Sequence, residues 1–314
     1  MGEAAVLTKP PGCRAERSTP AQHNGVLLLT FAAFIIGYVA TDRFIGTRRV
    51  AKEFDPVSAE FSLWTAVLGM VGGFGLAMLV YCGAALLGVC RLFEELRRRT
   101  VVAALLATLV ALGTVFIGLL AASANAPDSV EKRLTEANRP VVICVGLCVV
   151  PGLMGLLLLR TLARQQREWS DSGLCQLALV RRLRSEMRRF LGTLGAFLTL
   201  LVIATGLRRQ AILALAPETH LPAVSVVLYG FIFAVLLGGF YAVASAAVDA
   251  RAAALVESYA ALPAPDAVDL VEAVGRRTAL NSLVGLGEGT WRTFQSGVVI
   301  AAPLFTALLS NSVG

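Results

Sequence analysis

The feature that most constrains this chain is residues 63–123, where two apolar runs, Leu63–Cys90 and Val101–Ser123, are separated only by Arg91–Thr100. Neither run contains Asp, Glu, Lys, Arg or His. A helix needs ~20 residues to cross ~30 Å of hydrocarbon, so each run can span a bilayer. At ~1.5 Å per residue the first run would measure about 42 Å, and must tilt, bend at its glycines or project beyond the lipid. No continuous helix could keep both runs in one membrane, so the chain reverses between them. The turn is placed at Arg99-Thr100, with Thr100 as N-cap of the second helix. Glu94 with Arg98, and Glu95 with Arg99, are i,i+4 pairs that extend the first helix into water.

Composition supports the same solvent. Hydrophobic residues make up 56% and charged residues 16% of the chain, against roughly 45–50% and 25% in soluble domains, a surplus that needs lipid to cover it. The net charge of +7 comes from arginines beside apolar runs, which favours the positive-inside rule and anionic headgroups over nucleic acid. Arginine far outnumbers lysine and alanine is abundant, which reads as a bacterial protein from a GC-rich genome.

The expected fold is an all-α, polytopic membrane bundle. Residues 1–24, with Pro10, Pro11 and Pro20, read as a disordered cytoplasmic tail, and residues 25–310 as a single membrane domain. Spans are expected at 25–41, 63–90, 101–123, 141–159, 190–207 and 223–248, with a seventh at 290–310. A cleaved signal peptide fits residues 25–41 poorly, because Tyr38 would stand three residues before the best small-residue cleavage site at Ala40. Asp55-Pro56 reads as a cap and first turn for the second helix. Asp128 and Glu131 have capping-box spacing for a short surface helix ending near Asn138. Pro151, followed by Gly152, is expected to kink the fourth span. The polar segments 91–100, 160–189 and 249–289 are expected in the cytoplasm.

Two of these polar segments carry helical periodicity. Leu177, Val180, Leu183, Met187 and Phe190 form an apolar stripe, and Arg181, Arg182, Arg184, Arg188 and Arg189 mostly occupy the other face, the pattern of a basic helix lying on anionic lipid. Val268, Val271 and Val274 suggest a second amphipathic helix over 266–279. Small residues recur every fourth position at Gly69, Gly73 and Ala77, and again at Gly238, Ala242 and Ala246, both read as helix-packing faces. The second series continues through Ala250 and Ala254, so the sixth helix should run on into the cytoplasm to Leu262, before Pro263 and Pro265.

With seven crossings, 19 of the 28 Lys and Arg residues fall on the side of the N-terminus. By the positive-inside rule that side is cytoplasmic, in a bacterial inner membrane.

Most site chemistry is excluded by missing parts. His23 and His220 are the only histidines, and both lie outside the apolar runs, so a bis-His haem, an HExxH zinc site and an intramembrane Ser-His dyad cannot be assembled. Glu94-Glu95-Leu-Arg-Arg-Arg99 is similar to the first motif of the CAAX-protease-like membrane endopeptidases. That family's FxxxH motif and second histidine motif have no counterpart here, since Ala216 stands four residues before His220 and no histidine follows it. Cys144 and Cys148 share a helix face without a supporting His or Met cluster and read as packing residues. Gly72-Gly73-Phe74-Gly75 lacks the Lys and Ser or Thr of a phosphate loop. Cys13 and Cys175, on the cytoplasmic segments, give no reason to expect a disulfide. No cofactor or metal is expected.

The six longer runs hold no ionisable side chain of the kind that marks proton or ion pathways. The expectation is therefore a non-enzymatic membrane protein that acts by association with a protein partner or a second copy, or by sensing anionic lipid through its basic helices. The alternative is a transporter or pore subunit using the glycine-rich second and proline-containing fourth spans. A membrane enzyme would have to draw on scattered loop residues such as Asp171, Glu186 or Glu288.

Overall fold

A computed structural model of the 314-residue chain describes residues 20–47, 59–92, 100–110, 112–113, 130–164, 173–215, 224–260, 270–284, 286 and 297–307. Among these residues the protein is all-helical: α1 Pro20–Thr47, α2 Ala59–Leu92, α3 Thr100–Val110, α4 Val130–Arg164, α5 Gly173–Leu215, α6 Val224–Tyr259, α7 Leu270–Val284 and α8 Gly297–Ala307. Five helices (α1, α2, α4, α5 and α6) are long and apolar enough to cross a membrane. The helices α3, from Val101 on, and α8 lie within the expected third and seventh spans, whose other residues, apart from 112–113, lie outside the described ones. The 11 residues of α8 reach ~16 Å, about half the hydrocarbon thickness.

Inter-helix contacts show that three pairs of helices run in opposite directions. On α1 and α2, Tyr38 meets Gly69 while Phe34 meets Gly73. On α4 and α5, Leu194 fills the space over Gly152 and Phe190 that over Gly155. On α6 and α8, Gly230 faces Pro303 and Leu304, and Gly238 faces Ile300. The C-terminal ends of α2, α4 and α6 therefore lie at the same end of the bundle as the N-termini of α3, α5 and α8, where Met154 and Leu158 of α4 pack against Ala104 of α3 and Cys90 of α2. This end also carries Arg160, Arg164, Arg181, Arg182, Arg184, Arg188, Arg189 and Arg251, and is called the basic end below.

The core lies between α2, α4, α5 and α6. Leu153, Leu156, Leu159, Phe190, Leu194 and Phe197 are almost completely buried, and Phe74 stacks on Phe197 at 6.1 Å. Glycines make this possible: a Cβ on Gly155 would lie 2.6 Å from the Phe190 ring, and one on Gly75 would lie 3.3 Å from Phe197. Outward faces remain greasy, with Leu28, Phe31 and Ile36 on α1 and Leu228, Phe231 and Val235 on α6 exposed. Apolar residues on both the inner and outer faces of one bundle are what lipid permits and water does not, and they indicate a membrane location.

The structure corrects several expected boundaries. Pro20–Asn24 belongs to α1 rather than to a disordered tail, proline being well suited to the first helical position. The short helix expected to end near Asn138 and the fourth span are one continuous helix, α4, which passes through both Pro140 and Pro151. A proline removes one N–H and keeps a helical φ, and neighbouring helices can support the freed carbonyl. The basic helix expected on the lipid surface is likewise the first half of α5, which is 43 residues long and continues directly into the fifth span. On α7 the expected stripe is turned outward, with Val271 and Val274 exposed, whereas Ala273 and Val284 are buried and Leu280 packs on the core. The residues around Asp55-Pro56, Asp128 and Glu94-Glu95 lie outside the described residues, as do 165–172, most of the tail and the remainder of the expected third span.

Candidate functional site

The polar contacts between helices concentrate at the basic end, where α5 and α6 continue beyond their uncharged stretches. The helix α5 is ~65 Å long at ~1.5 Å per residue, twice the hydrocarbon thickness. Its uncharged stretch between Arg189 and Arg208 spans ~27 Å, close to that thickness, and Gly173–Arg189 continues the same helix beyond it at the basic end. The helix α6, with 36 residues, is also longer than that thickness, and its first charged residue at that end is Asp249.

The projecting parts pack on one another. From α5, Val180, Leu183 and Met187 are buried; from α6, Val248, Ala252, Leu255 and Val256; from the end of α4, Leu159 and Leu162; and from α7, Ala273 and Val284. Arg184 lies at the centre. It is 7% exposed, and its guanidinium forks, Nη1 donating to the carbonyl of Val284 and Nη2 to Asp249 Oδ1. A planar guanidinium can serve two acceptors at once, which a lysine ammonium does less well. Asp249 is held from its own helix as well, by Ser245 Oγ donating to Oδ2 at 3.1 Å. The Val284 carbonyl is an end-of-helix acceptor that α7 cannot satisfy internally, and the chain leaves α7 with Leu286 N–H donating to Asn281 O at 2.8 Å. A second, more exposed tie joins the same helices, Arg277 Nη2 donating to Glu257 Oε2 at 2.9 Å. Glu186 is buried and its Oε1 accepts from Arg189 Nη1 at 3.1 Å.

The five arginines grouped by sequence are therefore separated. Arg184 faces inward and pins α5 to α6 and α7, Arg181, Arg188 and Arg189 are exposed, and Arg182 is half-buried. The sequence carried a signal for this. Arg184 stands on the series Val180, Arg184, Met187, Leu191, spaced i, i+4, i+7, i+11, so it shares a helix face with buried residues. Its partners could not be read in the same way, because Asp249 is 65 residues away and Val284 100 residues away.

The two small-residue series also differ. Gly69 and Gly73 receive Tyr38 and Phe34 of α1, and Ala77 is half-buried. On α6 Gly238 meets Ile300, while Ala242 and Ala246 are exposed. The packed face of α6 runs instead through Phe233, Leu237, Ala244, Val248, Ala252 and Leu255. Beside it Ala246, Ala250 and Ala254 line a recess of about 230 Å³ with Ala163, Arg164 and Arg251. Pro151 is half-buried within continuous helix. Cys144 is exposed and Cys148 half-buried. Among the described residues no group of three or more His, Cys, Asp or Glu could hold a metal ion.

No family model, curated protein or solved structure matches this chain.

Proposed function

We propose that this is a multi-pass protein of a bacterial inner membrane, with its N-terminus in the cytoplasm, that acts without catalysis by associating with a protein partner or a second copy through its basic end. The supporting observation is that α5 and α6 continue beyond their uncharged stretches at one end and are fastened there to α7 by Arg184 and by Arg277. Ordering an arginine between a carboxylate and a helix-end carbonyl gives these projections a defined shape, as a docking surface requires. The exposed charges around it, Arg181, Arg188 and Arg189, would steer an acidic partner and hold the surface against an anionic leaflet. Phe197 packed over Gly75 between α2 and α5 favours association over the pore reading, because it fills the glycine-rich part of α2 that a path would use.

The test is photo-crosslinking in intact cells. A crosslinking residue in place of Arg181 should give one discrete protein adduct, and the same residue in place of Val224, at the opposite end of α6, should give none. An Arg181 position that yields no adduct would overturn the proposal. Orientation is checked separately: a membrane-impermeant thiol reagent applied outside should not reach Arg182→Cys, and labelling there would reverse the assignment.

A further inference from the structure

We draw no further inference here: the strongest candidate, the outward face of helix α7 at the basic end, where Val271 and Val274 stand exposed, carries none, because nothing in the structure shows what covers it.

Discussion

Replacing Arg184 with alanine should release α7 from the bundle while leaving the membrane-spanning helices in place. The magnitude follows from the two bonds lost. Val284 is 1% exposed, so its carbonyl would be left without a donor and with little access to water, at a cost of about 1–3 kcal/mol. The Asp249 side chain is 47% exposed and keeps its bond from Ser245, so loss of the ion pair adds no more than ~1 kcal/mol. A sum near 2–3 kcal/mol, at ~1.4 kcal/mol per factor of ten, raises the local opening of α7 by roughly 30- to 100-fold. Hydrogen–deuterium exchange of the detergent-solubilised protein reads this directly, because amide protection reports the free energy of the local opening. Peptides covering 270–284 should exchange faster by that factor, and those covering 224–243 of α6 should be unchanged. Arg184→Lys should fall between the two, since one ammonium replaces a forked donor. Exchange of α7 at the wild-type rate in a folded Arg184→Ala variant would refute the role assigned to this arginine.

Other substitutions probe the remaining contacts. Gly37→Ala should lower the apparent melting temperature in detergent and loosen α1, because its Cβ would stand 2.5 Å from the Gly72 carbonyl oxygen, backbone that cannot swing aside. About 1–3 kcal/mol is expected for such overpacking. Gly25→Ala, with nothing within 4 Å, should be neutral or slightly stabilising by the same measurement. Glu257→Ala should change stability by less than ~1 kcal/mol, because Glu257 and Arg277 are 63% and 31% exposed; a larger loss would show that the second tie matters as much as the first. A membrane-permeant maleimide should modify exposed Cys144 well before buried Cys82, and the reverse order by peptide mass mapping would contradict the packing of α2 against α5.

Much of the architecture was legible from residue pattern because the hydrocarbon thickness is a ruler. Uncharged runs of about the right length placed α1, α2 and the membrane parts of α4, α5 and α6, and charges marked their ends. The helix assignments failed where a polar sequence continues an apolar helix. Gly173–Arg189 reads as an amphipathic surface helix whether or not it is fused to the fifth span, and only its contacts with α6 and α7 decide the matter. At the candidate site, arginine enrichment was visible but the role of each arginine was not. Periodicity counts faces, and Arg184 and Arg188 are one turn apart in sequence yet buried and exposed respectively, because the projecting bundle wraps part of the helix and leaves the rest open.

The sequence by itself pointed to the solvent: long uncharged runs with arginines gathered beside them are what lipid covers well and water does not, and they concentrate arginine at one end of the bundle. Only the tertiary structure decided which faces meet. Hydrophobicity does not distinguish the inside of a membrane bundle from its outside, because lipid tails are as apolar as leucine. The choice falls to shape and to the satisfaction of buried polar groups. That is why α6 packs through Leu237, Val248 and Leu255 while its alanine series stays open, and why Arg184 turns inward to an aspartate and a carbonyl that no local pattern could have assigned to it.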